Sequence, residues 1–194
     1  IEPGKAGAEN ARARGVKNIV MATLEDAGFK NNVFESIGLF DVLEHIQDDK
    51  KFIVNVSEYI ESNGKLFITV PALQFLWSAN DDFAGHVRRY SRKQIEKLLE
   101  ESGFKILFSS YFFTIMIPIV FIYRWLAGLK GGQKTAAEVS ATAKKSLEMP
   151  RFLRPFFDLV WKFELYMISK RIPLLLGSSV VIVAVKKQAA EEGV

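Results

Sequence analysis

Apolar positions along the chain fall into short compact runs and longer periodic ones, and their alternation predicts most of the elements. "KNIVMAT" (17–23), "VFESIGLFDVL" (33–43), "KLFITVP" (65–71), "FKILFSSYF" (104–112) and "SSVVIVAVKK" (178–187) are rich in β-branched and aromatic residues. Each is bounded by turn-forming residues and reads as a strand. "GAENARARG" (7–15) carries helix formers and ends at Gly15, a C-cap residue. "DDKKFIVNVSEYIE" (48–61) brings Phe52, Ile53, Val56 and Ile60 near one helical face before "SNG" stops it. Ser91 is an N-cap for "RKQIEKLLEESG" (92–103), which closes at Gly103. Strands separated by helices of this length predict right-handed βαβ units and a parallel sheet, whose ligands sit at the carboxyl ends of the strands. The polar cluster "DVLEHIQDD" (41–49) falls at such an end.

Composition narrows the class. The 194 residues are 49% hydrophobic and 25% charged, enough for one domain with one core. The net charge of +4 is mild and its only dense basic cluster is "HVRRYSRK" (86–93), so no nucleic-acid partner is expected. With no cysteine, disulfides, thiolate zinc sites and cysteine nucleophiles are excluded, which suits a cytoplasmic protein. The start, "IEPGKAG", has no apolar leader and no Met, and is expected to fall inside an element of a longer chain.

Residues 106 to 123 carry no formal charge, but Ser109, Ser110 and Pro118 interrupt them, so no membrane span is expected. The stretch 114–129, with Arg124 and Trp125, is expected to pack in the core, cap an apolar pocket or touch a membrane surface at the inner face. It opens a helical insertion over 114–177, in which 130–146 reads as a mobile loop and 152–172 is strongly aromatic.

Taken in order, "IEP" (1–3), "ATLEDAGF" (22–29), "FESIGLFDVLEHIQD" (34–48), "GKLFITVP" (64–71) and "LLEESGF" (98–104) resemble a class I S-adenosylmethionine-dependent methyltransferase. "DVLEHI" is similar to the ubiquinone-biosynthesis O-methyltransferases and their bacterial relatives. The resemblance runs from Ile1 to about Phe112 and resumes at the last strand; the family's first strand and Gly-rich loop are not in this sequence. It implies an α/β, Rossmann-like sheet, N-terminally incomplete, mostly parallel with the last strand antiparallel. It also implies S-adenosyl-L-methionine as cofactor. Glu2, followed by Pro3, would accept the ribose hydroxyls, Thr23 and Leu24 would meet the adenine, and Phe40 and Asp41 would line the methionine part. Glu2 and the rim at 40–45 are therefore expected to face one crevice.

Candidate chemistry follows. His45 suits a general base, because imidazole titrates near neutral pH; the alternative is that Glu44 and His45 orient the next helix. "WSANDDFAGHVRRYS" (77–91) reads as a substrate lid, with Asp82, Arg88, Arg89 and Tyr90 facing the acceptor and His86 as a second base. Paired guanidiniums suit a carboxylate or phosphate; the alternative is local pairing of the Arg residues with Asp81 and Asp82. No metal site is expected, since the two histidines lie far apart in sequence and the Asp pairs at 48–49 and 81–82 fit helix-start and loop charges as well as ligands, which leaves Mg²⁺ as the alternative. The leading expectation is methyl transfer to a small or lipid-like acceptor bearing an anionic group, with 114–177 forming its pocket. The alternative is a noncatalytic module that uses the insertion for membrane contact or as a homodimer interface. A dinucleotide-dependent oxidoreductase shares the acidic residue after the second strand and is a third class.

Overall fold

The computed structural model describes residues 1–119 and 154–188. Four strands, β1 (Phe34–Phe40), β2 (Ile60–Pro71), β3 (Phe104–Phe112) and β4 (Ser179–Lys186), form one sheet in the order β1-β2-β4-β3. β1 and β2 are parallel, and β4 is antiparallel to both of its neighbours. Three strands therefore run one way and the last strand the other, as expected. The helices are α1 (Lys5–Ala13), α2 (Asp49–Tyr59), α3 (Ala79–Ala84), α4 (Arg92–Glu101) and α5 (Arg154–Ser169).

The core forms where the two sequence periods meet. Leu66, Ile68 and Val70 of β2 and Val180, Ile182 and Ala184 of β4 are buried at every second position. They join Ile53 and Val56 of α2 and Ile95 and Leu99 of α4 in one cluster. Helix starts are fixed by their caps. The Asp48 carboxylate accepts from Lys51 N at 3.0 Å, and Ser91 with Gln94 closes a reciprocal capping box.

One expectation fails. Residues 17–23 form no strand: Val20 and Met21 are exposed, and the segment's carbonyls accept from Glu2 N, at Val20 O (2.9 Å), and from Ala27 N, at Thr23 O (3.1 Å), with no ladder. An apolar run is held as a strand only by a neighbouring ladder, and among the described residues none pairs with it. The segment read as a lid contains a short helix. Ser78 and Asp81 form a capping box that starts α3, and Gly85 ends it at φ 76°.

At the β3 edge of the sheet, Glu164 of α5 is buried and accepts from Phe113 N and Thr114 N, each at 2.8 Å. Ser110 Oγ accepts from Leu174 N at 2.8 Å. The chain then enters β4 so close to β3 that a Cβ on Gly177 would stand 2.2 Å from the Phe112 carbonyl oxygen. α5 leaves Phe156, Leu159, Phe163, Leu165 and Tyr166 exposed. The expected loop at 130–146 and most of the 114–129 stretch lie outside the described residues. No described helix is long and apolar enough to cross a membrane.

Candidate functional site

The carboxyl ends of β1 and β2 lie side by side, and the chain turns sharply there. Asp41 adopts φ +53°, a left-handed conformation that Asp tolerates better than most residues. Its amide donates to the Thr69 carbonyl at 3.0 Å, and its Oδ1 accepts from Thr69 Oγ1 at 3.1 Å. Phe40 is 64% exposed, with its ring folded back over Gly38, where a Cβ would meet it at 2.6 Å. An apolar side chain and a carboxylate thus stand at the strand end with no further cover from the described residues.

The turn continues into a short 3-10 helix, Leu43–His45, that buries Leu43 and Glu44 completely or nearly so. Across from it runs the segment after α3. Val87 N donates to the Glu44 carbonyl at 2.7 Å, Tyr90 N to the Pro71 carbonyl at 3.0 Å, and Leu73 N to the Tyr90 carbonyl at 3.0 Å. Residues 86–90 are therefore stitched to the ends of both β1 and β2. This brings His45 and His86 together, with ring centroids 4.9 Å apart and near-perpendicular planes.

Asp81 organises the inner side of this segment. It accepts from Ser78 N at 2.8 Å, His86 Nδ1 at 2.9 Å, Arg89 Nε at 2.7 Å and an Arg89 terminal nitrogen at 3.1 Å. Burial opposes its charge, but the hydrogen bonds from Arg89, His86 and Ser78 outweigh that and hold the carboxyl below its usual range. Arg89 also donates to the Ala72 carbonyl at 3.1 Å.

Asp49, the first residue of α2, has a similar role on the outer side. Its Oδ2 accepts from Arg88 at 2.8 Å and from the Tyr90 hydroxyl at 2.8 Å, while Arg88 also reaches the Gln47 carbonyl at 2.6 Å. Burial, then the bond to Asp49, pushes the Tyr90 phenol well above its usual value. The anions that both guanidiniums grip here are carboxylates of the chain itself. Asp82 accepts from Trp77 Nε1 at 3.0 Å, fixing the indole to the start of the loop.

Glu44 is the exception in this saturated network. It is 1% exposed, yet neither side-chain oxygen has a hydrogen-bond partner. Burial pushes its carboxyl up to about 7, with its own backbone amide opposing, repulsion from Asp41 adding, and His86 and Arg89 pulling weakly the other way. Its placement differs from the helix-orienting role considered above, because Asp48 caps α2 and Glu44 points into the protein. The separation of the histidines, which was the ground for expecting no metal site, is removed by the fold. One ligand atom each from Glu44, His45 and His86 lies within 4.8 Å of the others.

On the N-terminal side, Glu2 Oε1 accepts from Gly4 N at 2.9 Å at the start of α1. Its carboxyl lies over Gly7, where a Cβ would come within 2.4 Å. Thr23 Oγ1 donates to Asp26 at 2.8 Å, and the neighbouring Leu24 packs against the main core. Glu25 accepts from Asn55 of α2 and so ties this loop to the helix. Sequence reasoning missed Asp49 and Glu164 as organising residues, and named Asp81 only as a local partner for the Arg residues, which it is for Arg89. The signal for Asp81 was present in the Ser78-x-x-Asp81 spacing.

Comparisons with known proteins agree with this architecture. A SAM-dependent methyltransferase from Thermotoga maritima superposes with a TM-score of 0.56 at 16% identity, covering 96% of this chain and 72% of its own. A SAM-dependent methyltransferase from Archaeoglobus fulgidus gives 0.53 at 10% identity, over 95% and 73%. Phosphoethanolamine N-methyltransferase 2 of Haemonchus contortus, solved with S-adenosyl-L-methionine, gives 0.44 at 17% identity over 82% of this chain, which spans only 35% of that enzyme. No curated protein sequence matches. The family model described as a methyltransferase domain matches residues 2–108, more than half of the sequence, and the chain belongs to that family.

Proposed function

We propose that this chain is the catalytic domain, or part of it, of an enzyme that transfers a methyl group from S-adenosyl-L-methionine to a small or lipid-like acceptor. The observation that carries this reading is the turn at the end of β1. There Phe40 and Asp41 stand at the carboxyl edge of the sheet beside Thr69, within the residues the methyltransferase model matches. When bound, the donor supplies an electrophilic methyl carbon on a sulfonium.

The residues present suit such a ligand. The Gly4–Gly7 face of α1 leaves room for the Glu2 carboxyl that a side chain at residue 7 would fill. An ionised carboxylate held there can accept two ribose O–H donors, with Pro3 beside it. Thr23 and Leu24 would bound the adenine, and Phe40 and Asp41 the methionine moiety. The exposed His45, or His86 beside it, would take the proton that the acceptor releases as its lone pair forms the new bond to carbon. The rest of catalysis would be alignment of donor and acceptor.

For the acceptor, Arg88 is the better anion contact of the pair, because its side chain is 32% exposed while Arg89 is 15% exposed and doubly bonded to Asp81. Tyr90 and Asp82 would shape the same rim. The exposed aromatic face of α5 favours an acceptor with an apolar part.

Titration calorimetry of the full-length protein with S-adenosyl-L-methionine tests this. Saturable binding that weakens at least tenfold in Glu2→Ala and Asp41→Ala supports it. Absence of binding by the intact protein overturns it in favour of a noncatalytic scaffold.

A further inference from the structure

We propose that Glu44, His45 and His86 form a binding site for a divalent metal ion of the zinc class. One atom from each lies within 4.8 Å of the others, and the donor set of two imidazoles and one carboxylate is one that zinc takes when a position is kept open for water or substrate.

The surroundings of the three side chains favour an ion over a plain polar contact. His86 Nδ1 donates to Asp81 at 2.9 Å, and His45 Nδ1 faces the Gly85 carbonyl oxygen at 3.3 Å. Both acceptors lack protons, so each ring carries its hydrogen on Nδ1 and its lone pair on Nε2. That is how second partners fix metal-binding histidines, and a carboxylate behind the imidazole raises its basicity as a ligand. His86 Nε2 stands 4.0 Å from Glu44 Oε1, too far for a hydrogen bond. Two ligands of one tetrahedral zinc ion stand roughly 3.3 Å apart, so modest side-chain rotation would close the site.

Glu44 supplies the independent argument. A buried carboxylate with both oxygens unpaired is costly, and such orphans in native proteins call for an explanation such as an ion. The cation nearest in kind, Arg89, is already spent on Asp81 and Ala72. Protonation answers only part of it: the O–H would need the His86 Nε2 lone pair, 4.0 Å away, and the second carboxyl oxygen would stay without a partner. A metal ion satisfies the carboxylate and both Nε2 atoms at once.

With an ion bound, both Nε2 lone pairs are engaged, so proton removal by His45 or His86 belongs to the metal-free protein; the site lies where β1 ends, beside Asp41, where an ion could meet an acceptor oxygen. It does not depend on methyl transfer, because ion binding is measured without any donor.

The test is calorimetric titration of untagged, chelator-treated full-length protein with zinc chloride alone, supported by the visible spectrum after cobalt(II) addition. One ion per chain is expected, with intense cobalt bands of four- or five-coordinate geometry. Affinity should fall at least tenfold in His45→Ala, whose exposed side chain is dispensable for folding, and in Glu44→Gln and His86→Ala. Asp81→Asn should weaken binding about tenfold through His86. No saturable zinc binding by the wild type, or binding unchanged in a folded His45→Ala, overturns the proposal.

Discussion

Arg89 closes on Asp81 through two N–H···O bonds, to separate carboxylate oxygens at 2.7 and 3.1 Å, with the carboxylate 1% exposed. Removing the guanidinium would leave that charge buried with only Ser78 and His86 to hold it. Arg89→Ala is therefore expected to lower unfolding free energy by about 3 kcal/mol, the usual result of breaking one side of a buried pair. Urea denaturation measures it. An unchanged midpoint, with acceptor KM raised instead, would show that Arg89 serves the substrate and not the fold.

Tyr90 offers a milder probe. Its hydroxyl donates to Asp49 at 2.8 Å, and Arg88 shares that same oxygen. In Tyr90→Phe the ring still fills its buried place and Asp49 keeps Arg88. The expected loss is about 1.5 kcal/mol, appropriate to one hydrogen bond to a charged group. Thermal unfolding at neutral pH reads it, and a Tm equal to the wild type contradicts it.

Glu44 should give the metal-free protein an uncommon pH dependence. Its folded value is raised to about 7, above the 4.5 of an ordinary glutamate. The favourable contribution of the protonated form is thus fully present below pH 4.5, declines as the unfolded chain ionises first, and is gone above pH 7. At about 1.4 kcal/mol per pH unit, the difference reaches roughly 3 kcal/mol. Glu44→Gln is expected to be more stable than the wild type at pH 8 in the presence of chelator, and to converge with it near pH 4. Chemical denaturation at the two pH values decides this; a gap of equal size at both excludes the ionisation of Glu44 as its origin.

Gly7 connects helix packing to donor binding. Its missing Cβ leaves space that the Glu2 carboxyl fills. Gly7→Ala favours the helix by about 1 kcal/mol in propensity, while pushing the Glu2 side chain aside. The melting temperature should hold or rise while S-adenosyl-L-methionine affinity falls. A fall in both would point to simple steric damage, and no change in affinity would remove Glu2 from the donor site.

Much of the sheet was legible because its signals were local. β1, β2, β3 and β4 each carry a compact apolar run, and α2 and α4 carry caps at Asp48 and Ser91 together with a 3.6-residue stripe. "KNIVMAT" has the composition of a strand, but pairing is a property of neighbours. The candidate site was legible only in residue type. His45 and His86 were singled out separately, yet their meeting depends on Val87 bonding to Glu44 and Tyr90 to Pro71, long-range contacts that no local pattern encodes. The burial of Glu44 was invisible for the same reason. Arg88 and Arg89 fit the local-pairing alternative in type, although Arg88 found Asp49, far back in the chain.

The placement of β4 has a consequence for how the molecule is made. This strand comes after α5 in the chain, yet it lies between β2 and β3 and contributes Val180, Ile182 and Ala184 to the core. During synthesis, the ribosome releases β2 and β3 well before the strand that joins them, so both wait with open edges, a template for pairing with other chains. Nascent chains stalled upstream of Ser179 are the form in which a chaperone or an aggregate would meet this protein.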